Sequence, residues 1–203
     1  PQHYVLRTAL VRIRFAHWQE ILAMPEPAAS LPHSLAIWNY AQGRAMLATG
    51  NLTQAKQALQ RLQDFASGDE LSAATLEFNA SQSILSIAAA VLSGLIENAE
   101  GNLTIALEQL RTAVSLEDAL LYGEPPEWTV PVRQELGEVL LGAALAKAAE
   151  RVFLEDLKIF PGNVWSLAGL TKALRIQGKP AEAAAAELRF YNVWEGMGIN
   201  PLD

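Results

Sequence analysis

The sequence predicts an all-α fold: a single continuous α-solenoid of about five degenerate helix-turn-helix repeats over residues 1–203. Three observations carry this expectation. GRAMLATGNLTQAKQAL at 43–59 returns as GLIENAEGNLTIALEQL at 94–110, with Gly, Gly-Asn-Leu-Thr, Ala and Leu at the same offsets. The pair Gly43 and Ala55, matched by Gly94 and Ala106, recurs as Gly137 with Ala149 and, with substitutions, as Thr171 with Ala183 and Ala9 with Ile21. Apolar residues ahead of each turn fall at helical spacing, as in Leu136, Val139 and Leu140, or Leu167, Leu170 and Leu174.

Taken in order, the expected repeats cover 2–26, 34–66, 80–119, 130–160 and 163–197. Each is a helix A, a turn and a helix B. The turns read Gly50-Asn51, Gly101-Asn102 and Gly178-Lys179, where Gly can adopt the positive φ that ends a helix and Asn can cap the next one. Pro180 sits where a missing N–H costs nothing, at a first helical position. The small residue on helix A and the Ala on helix B let two antiparallel helices approach closely.

The anchors at 9, 43, 94, 137 and 171 are spaced by 34, 51, 43 and 34 residues, so two intervals carry extra chain. The first excess, FASGDELSAATLEFNAS at 65–81, reads as a helix end, a Gly-containing turn and a loosely helical link. The second holds Gly123-Glu124-Pro125-Pro126-Glu127-Trp128, and Pro125-Pro126 cannot be helix interior, so an extended connection is expected. Neither is long enough to separate domains.

This pattern resembles the tetratricopeptide repeat family, most clearly in GNVWSLAGLTKALRIQGKPAEAAAAELRF at 162–190, which follows Phe160-Pro161 as the family's second helix often ends in Pro. The likeness covers nearly the whole chain. It implies a right-handed solenoid that presents a concave groove, lined by the A helices, to a protein or peptide. The stretch from Tyr122 to Phe160 also looks like the C-terminal part of longer bacterial proteins built from degenerate repeats. A first residue Pro1 in place of Met fits an excised fragment, with cytoplasm and periplasm both open.

Composition narrows the chemistry. The 51% hydrophobic content supports a substantial core, and a net charge of −7 gives no basic footprint for a phosphate backbone, so no nucleic-acid partner is expected. Without cysteine there are no disulfides or thiolate metal sites. The uncharged run 78–96 approaches the length of a spanning helix but carries Asn79, Gln82 and four serines, and reads as a buried helix of a soluble protein with no membrane span. His3, His17 and His33 lack metal-ligand spacing. Glu124, Glu127, Glu135 and Glu138 cluster in sequence, but no nucleophile with its base and no phosphate loop accompanies them, so they read as solvated or paired with Arg133. No catalytic residue, metal or cofactor is expected. The triplets at Asn51, Asn79 and Asn102 match the glycosylation pattern, and capping explains two of them without sugar.

If the family geometry holds, helix A residues point into the groove: His3, Leu6, Leu10 and Ile13; Ile37, Tyr40, Arg44 and Leu47; Val91, Leu95 and Asn98; Gln134, Glu135, Glu138 and Leu141; Trp165, Ala168, Lys172 and Arg175. The candidate partner-binding set is Tyr40, Arg44, Asn98, Gln134, Glu135, Glu138, Trp165, Lys172 and Arg175, with Tyr40 and Trp165 as exposed aromatic anchors. The carboxylate clamp of the chaperone-binding members does not carry over, because the matching faces offer Leu, Tyr, Val and Gln. Trp18 and Trp38 are expected in the inter-repeat core, Trp194 in terminal packing, and Trp128 as a plug folded back over the repeats.

The functional expectation is a non-enzymatic protein-interaction module. The alternative is an architectural segment of a larger solenoid, associating as a homodimer or with missing N-terminal repeats through Val5, Leu6, Ala9, Leu10 and Ile13. An enzyme using the acidic residues between Glu124 and Glu138 is the third class.

Overall fold

A computed structural model of the chain describes the backbone of residues 2–194, with side chains placed for 7–69 and 71–194. Ten helices are present among them: α1 Gln2–Arg14, α2 Trp18–Leu22, α3 Pro32–Ala48, α4 Leu52–Ser67, α5 Ser81–Ala99, α6 Leu103–Asp118, α7 Val132–Gly142, α8 Ala146–Ile159, α9 Val164–Ile176 and α10 Pro180–Trp194. No strand occurs among the described residues. The chain is all-α, and consecutive helices pack as pairs: α1 with α2, α3 with α4, α5 with α6, α7 with α8, and α9 with α10. The chain divides into two compact units, Pro1–Val130 and Pro131–Asp203, where the sequence reading expects one.

One backbone device builds all five pairs. At the end of each first helix a single residue takes positive φ: Ala16 at 53°, Gly50 at 82°, Gly101 at 84°, Ala144 at 59° and Gly178 at 71°. The N–H of the next residue then donates to the carbonyl five residues back, from His17 to Arg12, Asn51 to Met46, Asn102 to Glu97, Leu145 to Leu140 and Lys179 to Leu174, at 2.7–3.0 Å. This is the Schellman arrangement, which satisfies helix-end carbonyls while turning the chain back. Each turn lies seven residues after its anchor at 9, 43, 94, 137 or 171. Sequence reasoning located the three with Gly and missed the two with Ala, because Ala does not advertise a left-handed conformation.

The capping role expected of Asn is not what the structure shows. Asn51 and Asn102 precede α4 and α6 but make no side-chain cap. Their amides donate to Gln54 at 2.9 Å and to Glu97 at 2.8 Å. With the turn already closed by backbone bonds, these side chains are left to pair with exposed neighbours.

All ten anchor residues are buried. In unit 1, a Cβ on Gly43 would lie 2.6 Å from Leu92 and 3.3 Å from Ala58, and one on Gly94 would lie 2.8 Å from Leu110 and 3.1 Å from the Ala106 carbonyl. In unit 2, Phe153 of α8 is fully buried between glycines of α7 and α9: a Cβ on Gly137 or on Gly169 would come within 2.4 or 2.3 Å of its ring. The first helices of successive pairs also touch, α1 with α3 and α3 with α5 in unit 1, and α7 with α9 in unit 2. Helix α5 is long and apolar enough to cross a membrane, and here it spends that apolarity on α3, α4 and α6, burying Ile84, Leu85, Ile87 and Leu92. Ala9, Leu10 and Ile13 of α1 are buried as well, packed in unit 1 rather than left as an open end, while Val5 and Leu6 fall outside the described side chains.

The loosely helical link expected after α4 is replaced by a short 3₁₀ turn, Asp69–Leu71, and a tight reversal in which Thr75 pairs with Ala80. The Leu76 N–H donates to the Asn79 carbonyl at 2.9 Å within this reversal, and the Asn79 side chain ties it to the second stretch of extra chain, as described below. The connection from 119 to 131 is irregular, as the two prolines require, and the Glu124–Pro125 peptide is cis.

Two stability predictions test this construction. Ala144→Gly removes a left-handed alanine and is expected to raise stability by up to about 1 kcal/mol, whereas Gly101→Ala, at a position with open space around it, lowers it by about 1 kcal/mol. Urea unfolding reads both, and equal midpoints for the two variants would refute a shared conformational cause. The second pair concerns packing: Gly169→Ala should cost about 1–3 kcal/mol against the immobile Phe153 ring. Gly142→Ala, with nothing within 4 Å, should cost nothing and gain up to about 1 kcal/mol of helix propensity.

Candidate functional site

The expected groove residues divide between the two units. In unit 1, Tyr40 and Arg44 stand one helical turn apart on α3, as their spacing implies. They are not exposed. Tyr40 is 1% exposed and Arg44 9%, with the Arg44 guanidinium donating to the Tyr40 hydroxyl at 2.9 Å and lying 5.8 Å from its ring centre. Trp128 packs on Tyr40, its ring centre 5.6 Å from that of Tyr40 and tilted by 54°, with 4% of its surface left to solvent. The expectation of Tyr40 as an exposed anchor is therefore corrected: the tryptophan that was expected to fold back occupies its face. Asn98 is exposed in the last turn of α5, where its carbonyl accepts from Gly101 N–H in the turn.

What brings Trp128 there is a set of polar contacts between the two stretches of extra chain. Glu127 accepts hydrogen bonds from the backbone of Glu77 at 2.7 Å and Phe78 at 3.0 Å, and from the Asn79 amide. Asn79, itself buried, donates to the Leu121 carbonyl at 3.1 Å and accepts from the Leu121 N–H at 2.7 Å. Gly123 passes so close to the Phe78 ring that a Cβ would lie 2.7 Å from it. Partial burial pushes the Glu127 carboxyl up, but the hydrogen bonds from Phe78, Asn79 and Glu77 outweigh it and hold the pKa below the usual Glu value. Sequence reasoning placed Glu127 in an acidic cluster and Asn79 in a possible sugar triplet. No local pattern links two residues 48 apart.

In unit 2 the candidates lie on α7 and α9, which pack together. Gln134 is buried, Glu135 and Lys172 are half-buried, and Glu138 is exposed. Although open at the surface, the Glu138 carboxyl is crowded enough by surrounding protein to lose part of its hydration, which raises its pKa; Lys172 opposes the rise and Glu135 adds to it. The structure thus gathers Glu135, Glu138 and Lys172 into one mixed-charge surface across two helices. Trp165 is half-buried at the start of α9, where the Asn163 side chain accepts its backbone N–H at 3.2 Å. Arg175 turns away from that set to α10, pairing with Glu187 at 2.7 Å. Trp194 stacks on Phe190 at 5.5 Å, as terminal packing would have it.

Among the described residues no group of His, Asp and Glu is arranged to hold a metal ion. Compared with known protein families and with curated proteins, the chain matches none.

The raised pKa of Glu138 has a stability consequence of definite sign. Its folded-state pKa lies above the unfolded one, so ionisation above the folded value opposes folding and protonation below the unfolded value removes the effect. Glu138→Gln should accordingly unfold at higher urea than the parent at pH 7. The advantage should shrink as pH falls through the raised pKa and vanish below about 4.3, the ordinary Glu value. A constant difference across that range would show that the charge is not its cause.

Proposed function

We propose that the chain is a non-enzymatic protein-interaction module of the tetratricopeptide type, and that its docking surface is the α7 and α9 face of unit 2. The observation that carries this reading is the mixed-charge set of Glu135, Glu138 and Lys172, open to solvent at Glu138 and crowded enough to shift its titration. Charges in partly dehydrated surroundings discriminate between partners by sign and position more than they add affinity. Trp165, half-buried two turns before Lys172 on α9, would add an aromatic contact on the same helix.

An architectural reading is favoured by a different observation. In unit 1 the face carrying Tyr40 and Arg44 is already filled by Trp128 of the same chain. On that reading the repeats pack against themselves or neighbouring repeats, and the α3 aromatics are core.

The test compares proteins recovered with the full chain, with Glu138→Lys and with Trp165→Ala. Loss of a specific partner in both variants, with Trp165→Ala costing about 2 kcal/mol or roughly thirtyfold in Kd, is the expected result. If both variants keep every partner while Trp165→Ala lowers the unfolding midpoint, the architectural reading takes the lead.

A further inference from the structure

Helix α8 places Arg151, Leu154, Glu155 and Lys158 at the i, i+3, i+4, i+7 positions of one stripe, and all four are exposed. This stripe and Arg189 of α10 line a cleft of about 380 Å³ that also includes the buried Leu157. The volume is within the range of about 300–1,000 Å³ typical of ligand-binding clefts. Four other cations are matched with carboxylates, Arg12 with Glu20, Lys56 with Glu100, Arg175 with Glu187 and Lys179 with Glu150. Among the described residues, Arg151, Lys158 and Arg189 have no carboxylate within ion-pair distance. The one acid in the cleft, Glu155, lies 4.0 Å from Arg133. Arg189 makes only a long contact, 3.4 Å, to the Pro161 carbonyl.

Three cations share the cleft with one carboxylate, Glu155, which stands between Arg151 and Lys158 on the α8 stripe and offsets part of their charge, so the lining keeps a positive excess on a chain of net charge −7. An external anion offsets that excess. The leucines specify more: Leu154, 40% exposed beside the cations, offers apolar surface that a bare anion leaves wet. We propose that this cleft is a docking surface for an acidic peptide segment of a partner protein, one that alternates carboxylates with large apolar side chains. The carboxylates would meet Arg151, Lys158 and Arg189, and an apolar side chain would lie on Leu154. Nucleic acid fits less well, since a long polyanion also meets the chain's net negative charge. The surface is built on α8 and α10, apart from the α7 and α9 residues named above, and does not rest on that reading.

The probe is a fluorescein-labelled peptide containing Glu-Asp-Leu-Phe-Glu-Asp-Leu, titrated by anisotropy with the full chain. Saturable binding should weaken about tenfold or more in Arg151→Glu/Lys158→Glu and on raising NaCl from about 50 to 300 mM, and several-fold in Leu154→Ala. Arg189→Gln supplies a milder single-site variant, also expected to weaken binding, and Arg111→Glu, a charge reversal outside the cleft lining, should bind the peptide as the parent does. Circular dichroism verifies that each variant is folded. The proposal is overturned by absent saturation, by unchanged affinity in folded Arg151→Glu/Lys158→Glu and in Arg189→Gln, or by an equal loss of binding in folded Arg111→Glu. It is equally overturned if an all-Glu peptide or an oligo-dT strand binds as tightly as the mixed peptide, since the cleft would then be a general polyanion surface.

Discussion

Both units depend on the reversal at the end of each first helix. A single left-handed residue, with the backbone bond that spans it, fixes where the second helix starts and sends it back antiparallel. Because that reversal lies seven residues beyond the anchor each time, the same faces meet in every pair, and only small or well-fitted residues can stand at the meeting point. Gly94 beneath Leu110 and Gly137 beneath Phe153 are two outcomes of one constraint. Where the second helix brings a large ring, as at Phe153, the first helices on both sides must give up a side chain, and Gly137 and Gly169 do.

The two long intervals are coupled in the same way, by geometry that neither contains alone. The reversal at 75–80 offers backbone donors at Glu77 and Phe78, and the proline-rich connection brings the acceptor, Glu127. Asn79 uses both ends of its amide on Leu121, which satisfies a backbone N–H and a carbonyl that an irregular segment would otherwise leave to water. Next to the held Glu127, Trp128 lies against the Tyr40 ring. The extra chain thus packs on α3 at Tyr40, and Tyr40 and Arg44 are both buried from a partner's reach.

Unit 2 keeps its charges available in two distinct forms. On α7 and α9, opposite charges sit close enough to tune one another, as the opposing pulls of Lys172 and Glu135 on Glu138 record. On α8 and α10, three cations outnumber the one acid, Glu155, beside the exposed Leu154. A helix with a buried stripe facing its neighbours leaves its opposite stripe free to carry such chemistry at little cost to the fold.

The helices, their pairing order and the small-residue anchors were legible in the sequence because they arise from local spacing: apolar residues at helical intervals, Gly at helix ends, and a pair of small residues twelve apart. The turns at Ala16 and Ala144 were hidden, since the conformation there is imposed by the packing of the helices on either side and not by residue type. Helical spacing also placed Tyr40 with Arg44, and Lys172 with Arg175, on shared helices, but it says nothing of what covers a face. That Trp128 closes over Tyr40, that Arg175 reaches Glu187, and that Glu127 meets Asn79 were decided by tertiary structure, because each contact joins residues that no local interval relates.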